Sequence, residues 1–131
     1  MLRISSPLDN QVEALVTRTI GCCIRVHREL GPGLLERTYG RAIAIELEIE
    51  GLPFEADKRY EVTYRGRWLS DHRVDIVVAD QVLLEVKAVD RLAAVHRAQV
   101  MSYLRMSGLR VGLLLNFNVA VLPDGLRRII L

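Results

Sequence analysis

The sequence is poor in cysteine and in net charge, and none of its apolar runs approaches the roughly 20 residues that a membrane-spanning helix needs. Its two cysteines, Cys22 and Cys23, are adjacent. On a helix their side chains would diverge by about 100° and could not bridge one another. The N-terminal segment also lacks the basic and apolar stretches of a secretory signal. We therefore expect a soluble, cytoplasmic protein in which both cysteines are small core residues.

Lysine is the scarce basic residue. The chain has 18 basic residues, and all except Lys58 and Lys87 are arginine. A compositional bias of the source genome explains this excess as well as phosphate binding does. The formal net charge of +2 is weak evidence for a polyanionic partner. The bias does mark Lys87, because a chain that otherwise uses arginine keeps a lysine there.

With 131 residues, half of them apolar, the chain is long enough for one domain over residues 1–131. Ser6 is predicted to cap the first helix, with Pro7 at its first position. Apolar spacing and turn residues predict the secondary structure. The predicted helices cover residues 7–30, 34–50 and 91–107, and the predicted strands cover 54–64, 68–69, 73–79, 82–88, 109–117 and 126–131.

The order of these elements predicts the topology of the sheet. A helix between the strands at 82–88 and 109–117 implies that these two strands are parallel, whereas the preceding hairpins are antiparallel. The expected fold is therefore α/β in the broad sense, and α+β in detail, with a mixed β-sheet flanked by helices.

Three charges interrupt the most apolar strands. Asp75 lies in "RVDIVV", and Glu85 and Lys87 lie in "LLEVKA", where a spacing of two places both on one face. Asp75 joins that face only if the hairpin loop has three residues, Ala79 to Gln81. A two-residue loop would send it to the other face, and the sequence leaves the two alternatives open.

If the carboxylates of Asp75 and Glu85 converge, they repel each other unless a cation lies between them. Oxygen ligands of this kind select Mg²⁺ or Mn²⁺. Lys87 could then orient the attacking water or neutralise charge on a phosphorane. The alternative interpretation is an ion pair between Lys87 and one carboxylate. The apolar neighbours of these charges predict burial, where unpaired ions cost several kcal/mol each.

Two further polar residues lie on apolar helix faces. His27 is predicted to be a core histidine with a satisfied ring, and a ligand role is the less favoured alternative. Glu36 heads a mostly apolar stripe that continues through Gly40, Ile43 and Leu47.

Several segments together resemble the GxxExxY protein family, a branch of the PD-(D/E)XK nuclease superfamily. They are "GLLERTY" (residues 33–39), "VDIVV", "LLEVKA" and "HRAQVMSYL". The resemblance runs from about His27 almost to the C-terminus. The proline that gives the superfamily its name is absent, because Val74 precedes Asp75.

The resemblance implies a restriction-endonuclease-like core and a role for each motif residue. Asp75 and Glu85 would be direct metal ligands, with the backbone carbonyl of Val86 as a third. Lys87 would be the catalytic lysine. Glu36 would reach the metal directly or through water.

The resemblance also assigns the pair Gln99 and Tyr103 to a QxxxY motif that borders the site and contacts phosphate or braces Lys87. A buried tyrosine with a polar partner is an alternative of nearly equal weight. His96, Asp71 and His72 are weaker candidates, because no part of the pattern requires them.

The function that this resemblance implies is a Mg²⁺- or Mn²⁺-dependent nuclease that acts on DNA or RNA. The alternatives are a non-catalytic nucleic-acid or protein-binding module on the same scaffold, and a metallo-hydrolase of small phosphorylated molecules. Because the chain is short, it has little surface left for a domain that selects the substrate. A homodimer or a protein partner is therefore a further expectation.

Overall fold

A computed structural model of the protein describes residues 6–131, so the first five residues of the predicted single domain lie outside it. Four helices and five strands follow in the order α1 (Asn10–Leu30), α2 (Glu36–Glu50), β1 (Phe54–Tyr64), β2 (Arg67–Val78), β3 (Val82–Lys87), α3 (Ala94–Ser107), β4 (Val111–Asn116), α4 (Leu122–Gly125) and β5 (Leu126–Ile130). None of the helices within the described range combines the length and the apolar character that crossing a bilayer requires.

The five strands form one sheet in the order β1-β2-β3-β4-β5. β3 and β4 are parallel and are connected through α3, whereas the other neighbouring pairs are antiparallel. This arrangement confirms the predicted mixed sheet flanked by helices. Because β3 and β4 are central and covered on both faces, nearly all of their residues are buried.

The start of α1 differs from the prediction. Asp9, not Ser6, caps the helix: its carboxylate accepts a hydrogen bond from the Val12 N–H at 2.9 Å, and the helix begins at Asn10. The Ser6 hydroxyl is engaged elsewhere, since it bonds to the Glu13 carboxylate. The predicted cap was therefore wrong because a longer acidic side chain, three residues closer to the helix, satisfies the free N–H group.

β2 is longer than the sequence indicated. Two separate strands were predicted at residues 68–69 and 73–79, but the structure has one strand, Arg67–Val78. β1 has 11 residues and pairs with β2 from its tip to its base, so the polar stretch between the predicted strands also has ladder partners. Pairing with β1 holds this polar stretch in a strand, although its residues have only a weak intrinsic preference for that conformation.

Two apolar cores lie on opposite faces of the sheet. The larger one packs α1 and α2 against even-numbered positions of β3, such as Leu84 and Val86. The smaller one packs α3 against odd-numbered positions, such as Leu83 on β3. Cys22 and Cys23 are buried in the larger core and form no disulfide, as predicted.

His27 also lies in the larger core, and the prediction of a satisfied core histidine is confirmed. Its Nε2 is 2.9 Å from the Val119 carbonyl oxygen, and its ring lies 5.9 Å from the Phe117 ring. Both contacts stabilise the turn that follows β4.

The alternation of faces reverses along the β1–β2 hairpin. On β2, Val74 packs in the α3 core, whereas Ile76, two residues later, packs in the α1–α2 core. β1 shows the same change between Phe54 and Tyr60. A regular strand keeps residues two apart on one face, so each strand contains an irregularity. The irregularity in β2 lies at Asp75, which has no partner on β1, whereas Val74 pairs with Lys58 and Ile76 pairs with Ala56.

Candidate active site

The hairpin between β2 and β3 sets the position of Asp75 relative to Glu85. Val78 pairs with Val82, which leaves a loop of three residues, 79–81. Ala79 and Asp80 adopt positive φ angles of 50° and 54° in that loop. The three-residue alternative is therefore confirmed, and its register brings Asp75 opposite Glu85.

The ladder between β2 and β3 ends immediately before these two residues. Its last backbone pair at this end is Ile76 with Leu84. Beyond it, the Asp75 carboxylate takes the place of a backbone acceptor: its Oδ2 accepts the Val86 N–H at 2.7 Å. The Asp75 side chain therefore lies in the fork between the two strands, beside Glu85.

Glu85 is the charged residue most affected by this arrangement. It is only 4% exposed. Burial, and then the neighbouring Asp75 carboxylate, raise the pKa of Glu85 to about 9, while the positive charge of Lys87 opposes the shift. In the absence of a cation, a buried carboxyl beside a second carboxylate is thus stabilised in its protonated form.

Lys87 follows on the same strand and is half-buried. No ion pair within 4 Å joins it to a carboxylate anywhere in residues 6–131. The alternative of a structural Lys87 ion pair is therefore not what the structure shows. The ammonium group remains free of a carboxylate partner at the edge of the Asp75–Glu85 pair.

Glu36 approaches from the first turn of α2. Its Oε1 accepts the Ala88 N–H at 3.3 Å, just beyond the end of β3. Glu36 also lines a cleft of about 380 Å³ that we call the α2 cleft. The residues of this cleft that bear on function are Glu36, Arg37, Arg41, Asp57, Asp75 and Val86.

The loop before α2 explains how Glu36 reaches this point. Gly33 has φ +103°, a value that side-chain-bearing residues rarely adopt. The Tyr39 hydroxyl donates to the Gly31 carbonyl oxygen at 2.5 Å and accepts the Leu34 N–H at 3.1 Å. The outer residues of the GxxExxY motif thus shape the loop, and the central glutamate faces the end of β3.

Tyr103 lies on α3 near the carboxylate pair, and Gln99 lies one turn before it on the same helix. Burial, and then the charges of Glu85 and Asp75, raise the pKa of the Tyr103 hydroxyl, which places it within the field of the carboxylate pair. Both residues line a second cleft, of about 330 Å³, together with His72, whose ring lies 5.8 Å from that of Tyr103.

The choice between a site role for this pair and the alternative of a buried tyrosine with a polar partner stays a prediction, but the side chain of Gln99 has one notable feature. Its Oε1 is buried, and no hydrogen-bond partner for it occurs among the residues that the structure describes. A buried acceptor of this kind costs about 1–3 kcal/mol when it is unsatisfied. This cost is consistent with a residue that binds something other than the protein.

The weaker candidates have local structural contacts. His96 Nδ1 accepts the Ala93 N–H at 2.9 Å and so closes the first turn of α3. Asp71 accepts the Trp68 indole N–H at 2.9 Å on the distal part of the hairpin. Neither contact brings these two residues to the carboxylate pair.

Asn116 contributes to the site and was missed by sequence reasoning. It is 2% exposed and lies beside Lys87 in the parallel β3–β4 ladder. Its Oδ1 accepts the Val89 N–H at 3.1 Å, and its Nδ2 donates to the Val89 carbonyl at 2.9 Å. It therefore anchors the chain as it leaves β3. A polar residue at the end of the apolar run "LLLNF" was the available signal.

The donor set suits a hard divalent cation that keeps several water ligands. Within the described part of the chain, no group of three or more His, Cys, Asp or Glu side chains is close enough to hold a metal. Asp75 and Glu85 supply two adjacent carboxylates, and Glu36 is bonded to Ala88 instead. Mg²⁺ typically takes one or two carboxylates and keeps several waters. The residues present fit such an ion, which would relieve the repulsion between the pair.

Comparison with known proteins gives one significant match. The family model of the PD-(D/E)XK nuclease superfamily matches residues 13–129, which include every residue of the candidate site. No curated protein and no solved structure matches significantly. The match is to the superfamily, so the finer GxxExxY assignment stays a prediction. PD-(D/E)XK nucleases generally use divalent metals.

Proposed function

Because the chain belongs to the PD-(D/E)XK nuclease superfamily, we propose that it is a metal-dependent nuclease that hydrolyses phosphodiester bonds of DNA or RNA. One observation carries the proposal: the Asp75 carboxylate lies in the fork between β2 and β3, next to the buried Glu85, with the unpaired Lys87 one pleat further on. A purely structural site has no need of two adjacent carboxylates, one of them held protonated by burial.

Asp75 and Glu85 would hold Mg²⁺ or Mn²⁺, with the backbone carbonyl of Val86 as a third protein ligand. Such a cation acts as a Lewis acid toward a phosphate oxygen and lowers the pKa of bound water. Glu36, fixed at the rim by the Ala88 N–H, would hold a water molecule of the cation's outer shell.

Lys87 would act on the reacting groups directly. With no carboxylate partner within 4 Å in the described residues, its ammonium keeps its donors for a water or a phosphate oxygen. It would orient the attacking water and offset the negative charge that develops on the phosphorus centre. Arginine is not equivalent here, because its planar guanidinium presents a fixed fork of donors in place of a compact ammonium.

Gln99 and Tyr103 would complete the site from α3. The Tyr103 hydroxyl lies in the field of Glu85 and Asp75, where it can donate to a phosphate oxygen or brace Lys87. The buried Gln99 Oε1 is an acceptor, so it would take a donor such as a water molecule or the Lys87 ammonium, while the Gln99 NH₂ group would donate to a phosphate oxygen.

The test is a cleavage screen in Mn²⁺ on single-stranded, double-stranded and branched DNA and RNA, with metal binding followed by calorimetry. Wild type should bind Mn²⁺ and cut at least one substrate, whereas Glu85→Gln should do neither. Glu48→Gln is the matched control, because Glu48 is an exposed glutamate on α2 outside both clefts.

If the wild type neither binds metal nor cuts any substrate, the nuclease proposal is refuted. Retained binding of nucleic acid in that case would favour the non-catalytic module. Hydrolysis restricted to mononucleotides or other small phosphate esters would favour the third hypothesis, a metallo-hydrolase of small phosphorylated molecules.

A further inference from the structure

Two arginines line the α2 cleft. Arg37 and Arg41 are one turn apart on α2, both are exposed, and both border the cleft that Asp75 also borders. Side chains four residues apart on a helix have Cβ atoms about 5–6 Å apart. The two guanidinium groups can therefore act on the same ligand.

Neither arginine is used to stabilise the fold by an ion pair. No carboxylate within residues 6–131 lies within 4 Å of the charged nitrogens of Arg37 or Arg41. Arg25 on α1 provides the contrast, since it contacts Glu46 at 2.9 Å and Glu50 at 3.0 Å near the other end of α2. The arginines of the cleft thus keep their fork of donors for an external acceptor.

None of the acidic residues of the cleft forms an ion pair with Arg37 or Arg41 among the residues that the structure describes. Glu36 is bonded to the Ala88 N–H, and the Asp75 carboxylate is bonded to the Val86 N–H. Asp57, the third acid, is exposed on β1. A ligand that pairs with Arg37 and Arg41 therefore brings its own negative charge to α2, and a cation held at Asp75 would offset the acidic charge at the other side of the cleft.

A phosphodiester strand has this chemistry. Its phosphates carry one charge each at regular intervals, so one phosphate can lie at the Asp75–Glu85 pair while its neighbours lie along α2. Arginine recognises phosphate through paired, charge-assisted hydrogen bonds.

We propose that Arg37 and Arg41 bind the backbone phosphates next to the scissile phosphodiester, so that the substrate strand runs along the first turns of α2. This inference rests on the proposed nuclease function, because that function places the scissile bond at Asp75 and Glu85. It predicts that the substrate strand approaches the site along α2. It also predicts that the side chains of Arg37 and Arg41 contribute to the affinity for that strand.

The test measures the salt dependence of binding. A fluorescein-labelled single-stranded DNA of about 20 nucleotides is titrated with the full chain in the Lys87→Ala background, in Mg²⁺, from about 50 to 200 mM salt. Each phosphate contact contributes about 0.7 to the slope of log K against log salt on single strands. Arg37→Ala and Arg41→Ala should each lower the slope by about that amount, and the double variant by about 1.4. Affinity should fall about tenfold per arginine.

Two controls separate this role from a general effect of charge. Arg105→Ala removes an exposed arginine in the last turn of α3 that borders neither cleft, and it should leave the slope unchanged. The double Arg37→Lys, Arg41→Lys variant keeps both charges, so it should keep the slope and lose part of the affinity. Thermal unfolding should be unchanged in all these variants.

An unchanged slope in the double alanine variant would overturn the proposal, as would an equal loss in Arg105→Ala. A mononucleotide that binds as tightly as the oligonucleotide would also overturn it, because the arginines would then serve a small ligand. Cleavage is scored separately with Lys87 intact. Wild type that neither binds Mn²⁺ nor cuts any substrate would refute the nuclease function alone. A smaller salt slope in the arginine variants would then still support a strand bound along α2.

Discussion

Replacing Glu85 by glutamine should stabilise the protein in EDTA at neutral pH while it removes a proposed metal ligand. The carboxyl of Glu85 is 4% exposed, and burial followed by the Asp75 carboxylate raises its pKa from 4.5 to about 9. Glutamine has the same shape, carries no charge and can donate an N–H to Asp75. It therefore mimics the protonated carboxyl but has no proton to lose, so its contribution to the free energy of unfolding does not change with pH.

The direction of the pH effect follows from the raised pKa. Below about pH 4.5 the carboxyl is protonated in both the folded and the unfolded chain, and it imposes no penalty. Between pH 4.5 and about 9 the unfolded chain ionises while the folded chain keeps its proton. The free energy of unfolding of the wild type therefore falls as pH rises through this window, by about 1.4 kcal/mol per pH unit.

At pH 7.5 the penalty reaches roughly 4 kcal/mol, three pH units above the unfolded value. Glu85→Gln avoids it, so this variant should be more stable than wild type by roughly 2–4 kcal/mol, or about 10 °C in Tm. At pH 5 the difference should shrink below about 1 kcal/mol. Mn²⁺ should raise the Tm of the wild type at pH 7.5, because it displaces the proton from Glu85 and binds the folded chain. It should leave the Tm of the variant unchanged, because glutamine does not supply the second carboxylate.

The assay is thermal and urea unfolding of wild type, Glu85→Gln and Glu48→Gln in EDTA at pH 5 and pH 7.5. Glu48 is exposed on α2, so its amide variant should match wild type at both pH values. Equal stability of wild type and Glu85→Gln at pH 7.5, or a gap that does not narrow at pH 5, would refute the argument that Asp75 and burial hold a proton on Glu85.

Three further substitutions test the framework of the site, each by urea unfolding. Tyr39→Phe removes the hydroxyl that donates to the Gly31 carbonyl and should lower the free energy of unfolding by about 1–2 kcal/mol; wild-type stability would show that this bond does not hold the loop. Asn116→Leu leaves the Val89 N–H without its side-chain partner, while the Val89 carbonyl keeps Asn118 as a donor; it should lower the free energy of unfolding by about 1–3 kcal/mol, with faster exchange of the Val89 amide hydrogen, and unchanged exchange would contradict the proposed anchor. Gly112→Ala places a Cβ 2.7 Å from a methyl carbon of α3 and should lower it by about 1–3 kcal/mol, unless α3 can shift freely.

Local patterns in the sequence were sufficient to predict most of the secondary structure. α1 ends at Leu30 before Gly31, and α2 ends at Glu50 before Gly51, as the apolar spacing and the glycines indicated. Both glycines have positive φ angles, which only a residue without a side chain adopts readily. The starts of all three long helices were missed. Only that of α1 was decided by a capping side chain, Asp9, whereas α2 and α3 begin at Glu36 and Ala94 with no capping hydrogen bond from the side chain of the preceding residue.

The candidate site was predictable as a set of residues but not as a geometry. The pattern of Asp75, Glu85 and Lys87 in apolar strands indicated metal chemistry, and the resemblance added Glu36 and the pair on α3. Their mutual position depended on a loop whose length the sequence left open. Asn116 was not found, because a single polar residue at the end of a buried strand does not indicate which backbone groups it will meet.

The sequence by itself determined most of the elements, the parallel β3–β4 pair and the carboxylate pattern, because each of these depends on residues near in the chain. Only the tertiary structure decided that the hairpin loop has three residues and that β2 changes faces near Asp75. These features arise from contacts between strands and helices that are distant in sequence. They release Asp75 from the ladder, so that its carboxylate can lie beside Glu85 with the α2 cleft open to one side.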